Sequence, residues 1–134
     1  MKKNKTIIIA EAGVNHNGNL KTAKLMIKAA ALAKVDYIKF QTFSAEDLVT
    51  KNATKSKYQI KTTKKNESQL NMLKKLQFNK KQHKQILEYC KKNKVGFLST
   101  PFDIKSIDML SELRCKVFKI SSGDINNLPF LEHL

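Results

Sequence analysis

Seven side chains in this sequence are of types that could do chemistry together: Glu11, Lys39, Gln41, Thr100, Lys119, Ser122 and Asp124. Ammonium groups and hydroxyls hold phosphate or carboxylate oxygens, and charge-assisted hydrogen bonds are the strong ones. Carboxylates beside them orient the hydroxyls of a polyol or move protons. The set suits a small oxyanion next to a polyol, provided that the fold brings residues from both ends of the chain to one mouth.

The elements between them alternate. Residues 6–10 are β-branched and almost wholly apolar, as expected of a strand covered on both faces. Asn15-His-Asn-Gly-Asn19 supplies a turn and an N-cap, and residues 20–34 read as a helix with Leu25, Ala29 and Leu32 as its apolar stripe. Residues 36–43, rich in aromatic and β-branched side chains, are a second strand. The polar stretch 44–77 contains a short helix at 68–76. A connection of that length is usually functional or mobile, and a lid-like loop over the mouth is expected. Asn79 with Gln82 at N3 predicts a capping box and a helix with the stripe His83, Ile86, Leu87 and Cys90. Residues 95–100 form the third strand, stopped by Pro101, and Asp103 caps a helix carrying Ile104, Ile107, Leu110 and Leu113. Residues 116–121 form the fourth strand, and Pro129 marks the first turn of a helix beginning near Leu128.

Strand and helix repeated four times imply parallel pairing, in a doubly wound sheet or a (β/α)8 barrel. No dinucleotide-binding or P-loop glycine pattern follows any strand, so those readings lose support. Four units in 134 residues take roughly 33 each, and eight would take about 270, near the usual barrel size. The expected fold class is therefore α/β: the first half, about four βα units, of a TIM (β/α)8 barrel with parallel strands. Four strands alone leave two open edges, so a fragment, or an assembly that completes the ring, is expected.

The net charge of +15 invites a nucleic-acid reading, because clustered cations neutralise phosphates. The charge is almost all lysine, with Arg114 the sole arginine, whereas bidentate phosphate and base recognition favour arginine. The scattered lysines read as a solvated shell. No apolar run is long enough for a membrane helix, and the basic start leads only into a short apolar stretch, so neither a span nor a secretory signal is expected and the location is cytoplasmic. Cys90 and Cys115 lack a CxxC or a nearby histidine pair and read as buried thiols.

Alternation along the second strand puts Tyr37, Lys39 and Gln41 on one face and Ile38 and Phe40 on the other. In a barrel the outer face lies under apolar helices, which sends Lys39 and Gln41 into the lumen. By the same logic Val117, Lys119 and Ser121 point inward from the fourth strand. Two enclosed lysines repel each other and resist desolvation. Glu11, at the carboxyl rim of the first strand, cannot neutralise both, so a phosphate or carboxylate ligand is expected to balance them. Thr100, Ser122 and Asp124 hold equivalent rim positions, where barrel enzymes keep catalytic residues. Competing readings stay open: lysines that snorkel outward, Glu11 as a loop anchor, Thr100 as a mere strand end, and Ser122-Gly123 as turn chemistry. His83 reads as a half-buried helix residue, His133 is uninformative, and His16 in the first rim loop stands between a structural and a functional role.

Four strings, Ile8-Ile-Ala-Glu-Ala-Gly-Val-Asn-His-Asn-Gly18, Ile38-Lys-Phe-Gln-Thr-Phe43, Phe97-Leu-Ser-Thr-Pro-Phe102 and Lys119-Ile-Ser-Ser-Gly-Asp124, occur in that order. With them, essentially the whole chain resembles the N-acetylneuraminate (sialic acid) synthase family, which also includes legionaminic and pseudaminic acid synthases. The resemblance implies a C–C bond-forming transferase that condenses phosphoenolpyruvate with an N-acylated hexosamine such as N-acetylmannosamine. Its implied architecture is a (β/α)8 barrel followed by a small antifreeze-like domain. The enol carbon attacks the sugar aldehyde, water adds to the resulting oxocarbenium, and the tetrahedral intermediate expels phosphate. A divalent metal, Mn²⁺ or Mg²⁺, is implied to polarise the aldehyde from ligands outside this chain, and the full-length enzyme is expected to be a homodimer.

By matching position, Lys39, Thr100, Lys119 and Ser122 are implied to grip phosphoenolpyruvate, and Gln41 and Asp124 to contact the sugar. Glu11 is implied to lie beside the sugar or the attacking water. Glu11, Lys39, Lys119 and Asp124 are the implied catalytic residues. Asp124 stands where the family usually has Glu, so its carboxylate reaches one methylene less far. The second half of the barrel and the antifreeze-like domain lie outside residues 1–134, so this chain alone is expected to be inactive. Two alternatives remain: a related phosphoenolpyruvate-dependent sugar-acid synthase, such as a deoxy-octulosonate phosphate synthase, and a basic module that binds nucleic acid or an acidic surface.

Overall fold

A computed structural model of the chain describes residues 6–50, 53–54 and 67–134. Strands β1 (Ile9–Gly13), β2 (Tyr37–Thr42) and β3 (Gly96–Pro101) form a parallel sheet in the order β1-β2-β3. The helices are α1 (Leu20–Leu32), α2 (Ala45–Leu48), α3 (Gln69–Leu76), α4 (Lys80–Lys92), α5 (Ile104–Glu112) and α6 (Leu128–His133).

Side-chain caps start α1, α4 and α5 where the sequence places them. Asn19 Oδ1 accepts from the Lys21 and Thr22 N–H groups at 2.8 and 3.2 Å, and Asp103 Oδ1 accepts from Ser106 N–H at 2.7 Å. Asn79 and Gln82 form the expected capping box. One face of the sheet, with Ala12, Ile38 and Phe40, packs against Ala23, Ile27 and Ala30 of α1 and Ile86 and Cys90 of α4. The alanines let α1 lie close to the strands, and Ile27 and Ile86 fill the layer between.

Several expectations give way. The stripe Leu25, Ala29 and Leu32 faces solvent, with Leu32 84% exposed, and the buried face is Ala23, Ile27 and Ala30. The first strand begins at Ile9 rather than Thr6, and Ile7, Ile8 and Ile9 are exposed instead of covered on both faces. Pairing with β2 opens only at Ile9–Tyr37, because the Ile8 carbonyl accepts from Asp36 and Tyr37 N–H and Ile8 N–H donates to the Asp36 carboxylate. Pro101 closes β3 from within, opposite Thr42. Ile107 and Leu110 of α5 are buried, while Ile104 is exposed.

The fourth strand is reduced to a single parallel bridge between Ser99 and Phe118, supported by Lys119 N–H donating to the Ser99 carbonyl at 3.1 Å. Among the described residues this run has a neighbour on one side only, and a ladder with one open edge is marginal.

The segment 44–77 builds a second small core at the carboxyl ends of the strands. Phe43, Ala45, Met72 and Leu73 pack with Val14 and Phe102, so residues that follow β1, β2 and β3 all contribute. Ser44 N–H donates to Asp103 Oδ2 at 2.7 Å and Ala45 N–H to Gln77 Oε1 at 2.8 Å, which ties the rim loops together. The expected helix at 68–76 is α3, and α2 is an additional turn. The lid expectation falls mainly on residues 51–52 and 55–66, outside those described.

Candidate functional site

The sheet face opposite the helices carries the polar residues. Ile38, Phe40 and Thr42 are buried toward the helices, while Tyr37, Lys39 and Gln41 alternate to the other side. Register pairs Lys39 with Leu98 and Gln41 with Thr100, so Thr100 shares that face. Glu11 pairs with Lys39 in register on the other flank, and its carboxylate forms an ion pair with the Lys39 ammonium. The Lys39 side chain is only 16% exposed, against 53% for Glu11.

Gly13 brings these groups closer. The β1–β2 register shifts between Glu11 and Gly13, and Gly13 has φ +53°, a conformation that suits glycine at a bulge. A Cβ at this position would lie 3.3 Å from Glu11 Oε1 and 3.8 Å from Gln41 Nε2, so the missing side chain leaves room for both polar ends. The strand expected from the sequence ends at residue 10 and so misses Gly13, which inside β1 marks the bulge and the close approach.

Glu11, Lys39, Gln41 and Thr100 therefore gather at the carboxyl ends of β1, β2 and β3. Thr100 is 3% exposed, and its Oγ1 has no hydrogen-bond partner among the described residues. A buried hydroxyl without a partner is costly and is an available ligand for a polar group that enters the mouth.

The other three expected residues lie in the run that follows β3. Lys119 is exposed and its ammonium donates to the Ile120 carbonyl, while the bridge of Ser99 with Phe118 sets it beside Thr100 in register, on the side of the sheet away from the helices. Lys119 forms no ion pair among the described residues, and an ammonium without one stays in water because burial costs several kcal/mol. Among the described residues Glu11 pairs with Lys39, and solvent meets Lys119. Ser122 is exposed and Asp124 half-buried in a 3₁₀ turn spanning Ser122–Asp124, where Ser121 Oγ accepts from Gly123 N–H at 3.3 Å.

Behind the face, His16 and His83 are both buried, His83 more deeply than expected. His16 stacks on Phe78 with ring centroids 4.1 Å apart, and its Nδ1 accepts from Gly18 N–H at 3.0 Å. Burial, then the neighbouring His83, pushes the His16 pKa down to about 4. Burial also lowers that of His83. Cys90 is buried, and burial pushes its thiol up to about 12, whereas Cys115 is partly exposed with a thiol raised for the same reason. Both thiols are poor nucleophiles. Among the described residues no three His, Cys, Asp or Glu side chains gather as a metal site, so this donor set does not fit a divalent cation.

Fold and rim together define a β/α-barrel segment with a polar mouth suited to an oxyanion and a polyol. The chain matches the NeuB family over residues 26–134 and belongs to it. It is 52% identical over 130 residues to the N,N'-diacetyllegionaminic acid synthase of Campylobacter jejuni, an alignment covering 97% of this chain and 39% of that protein. It is 44% identical to the synthase of the same name from Legionella pneumophila, over 94% of this chain and 35% of that one. The crystal structure of N-acetylneuraminic acid (sialic acid) synthetase from Leptospira borgpetersenii serovar Hardjo-bovis, in complex with citrate, superposes with a TM-score of 0.78 at 35% identity, over 97% of this chain and 41% of that chain. The chain thus spans well under half the length of these relatives and folds as part of their barrel. No helix among the described residues is long and apolar enough to cross a membrane.

Proposed function

We propose that this chain forms the amino-terminal part of a nonulosonic acid synthase and supplies part of its phosphoenolpyruvate and sugar sites. The observation that carries the reading is the cluster of Lys39, Gln41 and the partnerless Thr100 hydroxyl on one face, in a chain of this family. In the proposed reaction, the enol carbon of phosphoenolpyruvate attacks the aldehyde of an N-acylated hexosamine. Water then adds at the former enol carbon that bears the phosphate oxygen, and the tetrahedral intermediate expels inorganic phosphate. Lys39 and Thr100 hold the anionic donor, Gln41 contacts the sugar, and Glu11 takes or gives a proton at the sugar or the attacking water. Lys119, Ser122 and Asp124 join from the segment after β3 once that run is paired on its far side.

The two named relatives make an acid with two N-acetyl groups. An acceptor hexose with two acetamido groups is therefore favoured over N-acetylmannosamine, and the shorter Asp124 leaves space for the bulkier sugar. The test is a synthase that carries this chain joined to the carboxyl-terminal remainder of the Campylobacter jejuni relative. Phosphate release from phosphoenolpyruvate that depends on a diacetamido hexose, with a nine-carbon acid by mass, supports the reading. Release without sugar, or none under conditions in which the intact relative turns over, refutes it.

A further inference from the structure

Directly behind the mouth, on the helix face of the sheet, polar side chains occupy core positions. Thr42, His83 and Ser99 are 0%, 1% and 2% exposed. Ser99 Oγ lies 2.7 Å from Thr42 Oγ1, Thr42 Oγ1 lies 2.9 Å from His83 Nε2, and His83 Nδ1 lies 3.1 Å from the Asn79 carbonyl oxygen. A carbonyl only accepts, so Nδ1 carries the proton and Nε2 of the neutral ring accepts from Thr42; Ser99 then donates to Thr42. The buried chain runs in one direction, from β3 through β2 to the N-cap of α4.

Its position matters more than its energy. Thr42 follows Gln41 in β2, Ser99 precedes Thr100 in β3, and Gln41 and Thr100 are register partners on the opposite face. An apolar trio of similar volume would pack here without the cost of burying three polar groups. Dispersion tolerates a small slide of one strand end against the other, whereas three hydrogen bonds in series do not.

We infer that His83 is a positioning residue, which through Thr42 and Ser99 fixes the carboxyl ends of β2 and β3 so that Gln41 and Thr100 present one aligned surface to the ligand. The inference rests on the proposed reading of that surface as the substrate mouth. Neither His83, Thr42 nor Ser99 touches the ligand; they act through their neighbours in sequence.

The test is NMR on the protein with His83→Phe, His83→Gln and Thr42→Val. Phe102 N–H donates to the Thr42 carbonyl at 3.1 Å and reports the carboxyl ends, and Gly96 N–H donates to the Asp36 carbonyl at 2.8 Å and reports the far end of the sheet. His83→Phe is expected to speed exchange at Phe102 about tenfold with Gly96 unchanged. It is also expected to weaken binding of added phosphoenolpyruvate by about tenfold to a hundredfold, the scale on which a misplacement of about 1 Å acts. His83→Gln, which keeps an acceptor for Thr42, is expected to restore both. Thr42→Val removes the donor to His83 at nearly constant shape and must reproduce the loss, which keeps the inference testable if His83→Phe fails to fold. Wild-type exchange and affinity in both apolar variants, or no rescue by glutamine, overturn it. If the wild-type protein binds no phosphoenolpyruvate, the reading of the mouth fails, and exchange at Phe102 alone decides the positioning role.

Discussion

The two buried histidines make stability depend on pH, and His16 allows the size to be worked out. Its ring stacks on Phe78, lies 6.0 Å from the Phe40 ring, and uses Nδ1 to accept from Gly18 N–H. A proton on Nδ1 breaks that hydrogen bond and places a cation among aromatic rings beside His83. The pKa falls from 6.5 to about 4 in the folded chain, so between those values the unfolded chain binds more protons and stability rises with pH. At about 1.36 kcal/mol per unit the full contribution is about 3 kcal/mol. It is present above the unfolded value and lost as pH falls toward 4. Between about pH 7 and about pH 5, where most carboxylates stay ionised, the loss is about 2 kcal/mol. Urea unfolding at those two pH values should show at least this difference, since His83 adds to it in the same direction, and His16→Asn, which can still accept from Gly18, should remove the His16 share. An NMR titration of the His16 ring should place its midpoint near 4. Equal pH dependence in the variant and the wild type, or a midpoint near 6.5, refutes the reasoning.

Lys39→Ala or Thr100→Val in the joined synthase should lower kcat/KM by about a hundredfold or more, because each removes a contact that the proposed function assigns to the substrate. Circular dichroism should stay unchanged, and near-wild-type kinetics would count against both assignments. Gly18→Ala should destabilise the fold by about 2 kcal/mol or more, since Gly18 has φ +70° and a Cβ would lie 1.9 Å from the Lys75 carbonyl oxygen; thermal unfolding measures it. Glu11→Gln releases Lys39 from its ion pair and should tighten phosphate binding by up to about fivefold, the ~1 kcal/mol ceiling of a partly exposed pair, while turnover falls. Weaker binding by calorimetry would mean that Glu11 orients the ammonium rather than competing for it.

What was legible in the sequence follows from the range of the interactions that decide each element. Caps act over three or four residues, so Asn19, Asn79 and Asp103 mark helix starts that the structure reproduces. Alternation in β2 is equally local, and Ile38 and Phe40 face the helices as expected. The α1 stripe failed because alanine scores as weakly as a surface residue, while Leu25 and Leu32 score as core. The close contact of α1 with the strands selects the small side chains, and that choice depends on partners far away in sequence. The β1 start failed for a related reason: Ile7 and Ile8 have strand propensity, but Asp36 takes the Ile8 polar groups before a ladder can form.

The site divides along the same line. Lys39, Gln41 and Thr100 could be placed on one face because their strands pair at full length, so side-chain parity carries across the sheet. Lys119 is held by a single bridge only, and the pairing of Phe118 with Ser99 carries the same parity to it. The ion pair of Glu11 with Lys39 needed the bulge at Gly13, and a bulge shifts register by one residue without any change in hydrophobic pattern. The mouth thus holds a lysine paired with a carboxylate and a buried hydroxyl that has no partner among the described residues. In the proposed function, an arriving oxyanion is bound to the extent that it meets Thr100 and competes with Glu11 for Lys39.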